Sequence, residues 1–153
     1  MSDLDLINFV TESNAIEGIH REPTSAEIRA HEDFLGLPEL HVGDLENLVN
    51  VCAGAPLRDK VGRNVVIGNH LPPPGGPEIR HELALLLLPE SIASSSPHQL
   101  HKRYETLHPF MDGNGRSGRA LWASHHKQLG NDPFVLEFLR LWYYESLAES
   151  QGR

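Results

Sequence analysis

His108-Pro-Phe-Met-Asp-Gly-Asn-Gly-Arg-Ser-Gly-Arg119 is the stretch that decides how the chain reads. It sets an imidazole, a carboxylate, a Gly-Asn-Gly turn and two arginines side by side. Pro109, Gly113, Asn114 and Gly115 mark 108–115 as a loop, since each favours a turn over a regular element. Beyond it, 116–129 reads as a helix closed by Gly130-Asn131. Successive backbone N–H groups in a glycine-rich turn form a concave anion nest. The N-terminus of the following helix adds its own free amides and the positive end of its dipole. Arg116 and Arg119 are three residues apart, so both can lie on one side of that helix. Two guanidinium forks beside a nest suit a polyphosphate. Asp112 offers one hard oxygen, the way Mg²⁺ is usually held beside phosphates and water. The unperturbed pKa of His108 lets it take a proton near neutral pH.

Gly113-x-Gly115-x-x-Gly118 also matches the dinucleotide fingerprint to the letter. That fingerprint needs a strand before it, and the residues before it, 98–107, carry a helical pattern with little β-branched content. A P-loop is excluded, because its spacing and Gly-Lys-Ser/Thr ending are absent. Ser117 near His108 invites a triad reading, but the loop pattern already accounts for both residues.

Working outward, Ser94-Ser-Ser-Pro97 reads as an N-cap followed by proline at N1, opening the helix 98–107. A leucine-rich core helix is expected over about 78–88. Before it, Asn64-Val-Val-Ile67, Gly68-Asn69 and His70-Leu71 read as a short β-hairpin with a tight turn. Pro72, Pro73, Pro74 and Pro77 end it. A third helix starts near Asp44 and runs to Gly54. Thr24-Ser-Ala-Glu27 is a capping box for a helix that stops at Gly36. A first helix spans about 4–17 and closes at Gly18. A last helix begins at Pro133 and carries Phe134, Phe138, Leu141 and Trp142. The expected class is mainly α, a helical bundle with one small hairpin, as a single domain over 1–153.

Composition bounds the function. The chain has 153 residues, a net charge of −8 and one cysteine. That length can bury a core without staples, and Cys52 alone cannot form an intrachain disulfide. Cys52 falls on the apolar side of its helix and reads as a core thiol. The acidic start lacks the apolar stretch of a signal peptide. No apolar run approaches the ~20 residues of a membrane span, so neither a membrane nor an export route is expected, and the default location is the cytoplasm. The negative balance argues against nucleic acid as a partner, which would require lysines and arginines along its backbone. The charge is uneven. Residues 1–18 hold Asp3, Asp5, Glu12 and Glu17 with no lysine or arginine. Residues 101–119 hold Lys102, Arg103, Arg116 and Arg119 against Glu105 and Asp112. A basic pocket in an acidic protein fits a small anion. His98-x-x-His101 and His125-His126 lack metal-site spacing and are expected on the surface.

The stretch HPFMDGNGRSGR resembles the signature of Fic-domain proteins, HxFx(D/E)GNGRxxR. His108, Phe110, Asp112, Gly113, Asn114, Gly115, Arg116 and Arg119 fill every specified position. Chance agreement at eight positions is on the order of 10⁻¹⁰ per starting residue. Residues 58–77, the hairpin and its prolines, resemble that family's flap. Ser13-Asn-Ala-Ile-Glu17-Gly18 fits the pattern (S/T)xxxE(G/N) of the class with an N-terminal inhibitory helix, and Ser13 and Glu17, four apart, share a face.

The resemblance implies a protein adenylyltransferase, moving AMP from ATP to a Ser, Thr or Tyr hydroxyl of a target protein, the chain itself included among candidates. It implies His108 as general base, Phe110 as the loop's anchor in the core, and Asp112 as the Mg²⁺ ligand. Gly113, Asn114 and Gly115 become the nest, with Asn114 near the α-phosphate. Arg116 and Arg119 are assigned to the β- and γ-phosphates, and Glu17 is assigned to block the γ-phosphate seat by pairing with Arg119. Asn64, Val65, Val66, Ile67, Gly68, Asn69, His70 and Leu71 become the target-binding flap, able to add a target segment as a further strand. Tyr143 and Tyr144 are candidates for an adenine pocket or for core packing. The alternatives are removal of AMP or another nucleotide donor at the same site, or a nucleotide-binding regulatory module of little turnover. The target and the oligomeric state are not readable from the sequence.

Overall fold

The computed structural model describes residues 3–134. The described residues form seven helices: α1 (Asp3–Ile16), α2 (Ser25–Leu35), α3 (Val42–Cys52), α4 (Pro77–Leu86), α5 (Pro89–Ala93), α6 (Pro97–Leu107) and α7 (Asn114–Gln128). The last helix expected from the sequence, with Phe138, Leu141, Trp142, Tyr143 and Tyr144, lies outside the described residues.

The helix starts follow local chemistry. Thr24 Oγ1 accepts from Glu27 N at 3.1 Å, and Glu27 Oε1 accepts from Thr24 N at 3.0 Å, closing the expected box. Ser96 and Gln99 form a second one, at 3.1 and 2.9 Å, ahead of Pro97. Such caps satisfy two orphan amides each. α3 begins two residues before Asp44, because the Asp44 carboxylate reaches back to accept from His41 N at 2.8 Å. α7 begins two residues before Arg116, because the glycine-rich turn closes at Gly113 (φ 82°) and Asn114 is already helical.

α7 is the axis of the fold, packed by α1, α2, α3 and α6. Its residues from Arg116 to His126 are all buried. A helix enclosed on every side buries its polar residues too, so its sequence shows little amphipathic periodicity. This corrects the surface placement of the histidines. His125 and His126 lie inside α7's enclosure, and His101 is buried on the facing side of α6. His126 stacks edge-on against Trp122, with ring centroids 4.5 Å apart. The rest of the core includes Leu6, Phe9 and Val10 of α1, Phe34 and Leu35 of α2, Leu45, Leu48 and Val49 of α3, Ile79 and Leu83 of α4, and Leu100 and Tyr104 of α6.

The segment 58–77 departs from the expected hairpin. Two backbone bonds, Ile67 N to His70 O at 3.0 Å and His70 N to Ile67 O at 2.8 Å, close a tight turn around Gly68 and Asn69. No ladder continues from it, and Val66 and Leu71 stand exposed. An isolated two-stranded ribbon is marginal in water, and Pro72–Pro74 lack the amides to extend one. The ends of the segment are firmly fixed instead. Gly75 N donates to Asn64 Oδ1 at 2.8 Å and Gly76 N to Arg58 O at 2.9 Å. A Cβ on Gly75 would collide with the Arg63 carbonyl and lie 2.7 Å from that of Lys60. At the start of the segment Arg58 N donates to Pro109 O at 2.8 Å, and just before it Pro56 O accepts from Met111 N at 3.0 Å. The flap segment and the 108–113 loop therefore share a backbone seam.

Candidate active site

His108 ends α6 in the left-handed region (φ 49°, ψ 63°) and is the one non-glycine residue with positive φ among the described residues. That conformation costs of order 1–3 kcal/mol and persists only where the surroundings impose it. Here Tyr104 O accepts from His108 N at 2.9 Å, and Arg58 Nε donates to His108 O at 2.7 Å. Burial, then the Arg58 cation and His70, push the imidazole down to about 4, against an opposing pull from Asp112. His108 is therefore neutral through the physiological range, with a proton affinity below the unperturbed value expected from sequence.

After His108 the loop is braced from inside. Phe110 is fully buried. Asn114 Oδ1 accepts from Phe110 N at 2.9 Å while its Nδ2 donates to Phe110 O at 2.8 Å. Its side chain thus holds the loop, and what it offers a ligand is its backbone amide. Ser117 Oγ donates to Gly113 O at 2.7 Å and is paired with Tyr104 Oη at 2.6 Å, which removes it from any triad. Asp112 is exposed and accepts from Gly113 N through Oδ1 at 2.7 Å.

The amides of Asn114, Gly115 and Arg116 precede the first bond of α7, Ser117 N to Gly113 O at 3.0 Å. Two buried arginines stand at the same helix end. Arg116 Nη1 donates to Cys52 O at 2.6 Å, and Arg116 Nε is buried without a partner among the described residues. Arg119 Nε donates to Ser13 Oγ at 2.8 Å, and Nη2 to Ser13 O at 2.9 Å and Glu17 Oε1 at 2.7 Å. The Glu17 carboxylate also lies so close over Gly115 that a Cβ there would collide with it. An anion belonging to the chain thus occupies the first turn of α7, where the dipole and the free amides favour one.

A model of the Fic/DOC family matches residues 45–124, from within α3 to within α7. The chain belongs to the Fic/DOC family. Members of the family generally transfer nucleotide monophosphate groups to proteins, typically by AMPylation or a related nucleotidyl transfer. No curated protein matches the chain. The mainly helical architecture agrees with the Fic fold. No helix among the described residues is long and apolar enough to cross a membrane.

Within this Fic domain the residues singled out by sequence fall into three groups. His108, Asp112, Gly113, Asn114, Gly115, Arg116, Arg119, Ser13 and Glu17 lie along one loop, the helix start after it and the end of α1. The flap residues Asn64 to Leu71 reach this region through His70, whose Nε2 lies 3.0 Å from Thr106 O. Tyr143 and Tyr144 lie outside the described residues. Three residues that sequence reading passed over also contribute. Arg58 is fully buried and serves the loop. Glu105 lies against Gly118 and 3.7 Å from His101 Nε2, its Oε1 buried without a hydrogen-bond partner among the described residues. Burial, opposed by Arg119 and aided by Glu17, raises its carboxyl to about 7. Asn14, beside Ser13, donates from Nδ2 to Glu27 Oε2 at 3.0 Å, which docks the end of α1 on the α2 capping box. Burial alone would raise Glu27, but Arg21, Thr24 and Asn14 hold it down at about 2. The one signal for Glu105 was its place three residues before His108, and for Arg58 its place at the head of the proline-rich segment.

Proposed function

We propose that this Fic protein is a protein adenylyltransferase that moves AMP from ATP to a Ser, Thr or Tyr hydroxyl of a target protein, and that Glu17 holds it in check. The observation that carries the reading is a single braced loop joining a neutral imidazole, His108, to a helix N-terminus with two buried arginines. In this reading Arg116 and Arg119 hold the β- and γ-phosphates, and the free amides of Asn114 and Gly115 receive charge on the transferring group. His108 takes the proton as the target oxygen bonds to the α-phosphorus, while the bond from that phosphorus to the departing pyrophosphate breaks. Such transfer rests on positioning and charge neutralisation rather than on covalent help from the protein.

Asp112 fits a Mg²⁺ ion held jointly with substrate phosphates. It is exposed, its Oδ1 accepts from Gly113 N, and the described residues contain no cluster of three ligands that would make a protein-only cage, so phosphate and water would complete the shell. When bound, the ion supplies charge neutralisation at the phosphate oxygens.

Glu17 supports the regulatory half of the proposal. Its pairing with Arg119 engages the donor that the γ-phosphate needs, so ATP meets a site already filled by a carboxylate. In the test, wild type, Glu17→Gly and Glu17→Gly/His108→Ala are compared for label transfer from α-³²P-ATP to protein. Transfer by Glu17→Gly alone, with ATP binding retained in the double variant, is expected. Retained transfer without His108 would show a nucleotide site that works by other means.

A further inference from the structure

Arg58 is the most completely enclosed arginine among the described residues, with 0 % of its surface exposed. Its guanidinium makes four hydrogen bonds, all to backbone carbonyls. Nε donates to His108 O at 2.7 Å and Nη2 to Leu107 O at 2.9 Å. Nη1 donates to Pro73 O at 2.8 Å and Arg63 O at 3.1 Å. Its own backbone adds bonds to Pro109 O and from Gly76 N, at 2.8 and 2.9 Å. No carboxylate is among its partners, although burying a charge normally calls for one. The carbonyl dipoles at the end of α6 do this work, since a cation is favoured at a helix C-terminus. One edge of the planar fork therefore fixes the two residues that end α6, and the other fixes both feet of the segment 63–73, whose middle is the exposed flap turn.

We propose that Arg58 is a positioning residue for the transfer reaction, fixing the left-handed turn that presents His108 and tying that turn to both feet of the flap. His108 and a hydroxyl presented on the flap are then held in one rigid frame. The inference rests on the adenylyltransferase reading for its kinetic consequences, but the geometric part stands apart from it. Burial does most to lower the proton affinity of the imidazole and the Arg58 cation adds to it, so Arg58 acts on His108 by placement first and by charge second. Lysine can supply the charge but not the fork, because a tetrahedral ammonium on one stem cannot serve four carbonyls in a plane.

The test compares Arg58→Lys and Arg58→Met, each in the Glu17→Gly background, with that parent. His108 is titrated by NMR of the labelled imidazole, transfer is followed with α-³²P-ATP, and ATP affinity is measured by calorimetry. Arg58→Met is expected to raise the His108 midpoint from about 4 toward the free value. Arg58→Lys is expected to keep ATP affinity within about twofold and to lower kcat by about ten- to a hundredfold, as small misplacements of a reacting group do. Unchanged His108 titration in a folded Arg58→Met protein, or transfer by Arg58→Lys at the parent rate, overturns the proposal. If Arg58→Met does not fold, Arg58→Lys carries the decision. A Glu17→Gly parent that transfers nothing refutes the adenylyltransferase reading instead, and the titration still decides whether Arg58 sets the state of His108.

Discussion

Replacing Glu17 by glycine removes one contact and little else. Glu17 follows the last residue of α1, so glycine there enters a turn and avoids the penalty it carries inside a helix. Arg119 keeps both bonds to Ser13, at 2.8 and 2.9 Å, and its buried guanidinium is not orphaned. The lost bond is charge-assisted, 2.7 Å long, between a side chain 7 % exposed and one 38 % exposed. A pair so placed lies between the surface range, below about 1 kcal/mol, and the 1.5–3 kcal/mol of hydrogen bonds to charged groups. A value of about 1–2 kcal/mol follows, discounted for the open side of Glu17. If ATP must displace this contact, its apparent affinity should rise about five- to thirtyfold in the variant. Thermal stability should fall by no more than the same 1–2 kcal/mol. Transfer of label from α-³²P-ATP should rise at least as much as affinity, because the γ-phosphate gains Arg119. Glu17→Gln, which keeps the shape and loses the charge, should fall between. Equal ATP affinity and equal transfer in wild type and Glu17→Gly would refute the competition argument.

Other predictions follow from the same geometry. If His108 acts as the neutral base, transfer by Glu17→Gly should be lost as pH falls through about 4, where the imidazole gains its proton. A half-loss near pH 6.5 in the pH–rate profile would show that burial and Arg58 do not act on it. Glu105, raised to about 7 and with its side chain 33 % exposed, destabilises the fold once ionised. The protonated form favoured in the folded state helps stability at low pH, and that help is lost as pH rises through about 7. Glu105→Gln should therefore raise the unfolding free energy at pH 8.5 by on the order of 1–2 kcal/mol after allowing for solvent, seen as a higher melting temperature, and leave both unchanged near pH 4. Asn114→Ala should cost about 2–4 kcal/mol in denaturant unfolding, because it strips both partners from the buried Phe110 amide and carbonyl.

What the sequence disclosed tracks the range over which each interaction acts. Thr24 with Glu27, and Ser96 with Pro97, are local chemistry within one turn, and the helix starts they specify are where the structure has them. The HPFMDGNGR stretch is likewise local, and its reading as loop then helix N-terminus needed no tertiary information. The hairpin misled because Val65, Val66 and Ile67 report β propensity, while pairing needs a neighbour that this exposed segment lacks. The histidines misled because periodicity assumes a helix with one wet face, and α7 has none. Arg58 was invisible for a third reason. Its partners are carbonyls at 63, 73, 107 and 108, which carry no side-chain signature, so only the fold shows that one guanidinium serves all four.

The placement of α1 bears on how the inhibition proposed for Glu17 would be relieved. The family match begins at residue 45, and a reading by family alone would treat α1 as a detachable plug. Yet Leu6, Phe9 and Val10 are 0–2 % exposed within the same core as Trp122 and Leu121. Each such side chain stabilises the docked helix by about 1.5–3 kcal/mol, several times in sum what the Glu17–Arg119 contact contributes. Asn14 adds a buried bond to Glu27. Undocking α1 would therefore cost far more than breaking the Glu17–Arg119 contact. Glu17 itself stands on a turn closed by Gly18 at φ 77°, beyond the helix and 38 % exposed. If Glu17 inhibits as proposed, the economical motion swings this carboxylate off Arg119 while α1 stays in the core, with the turn at 17–18 as the moving part and the helix as its fixed mount.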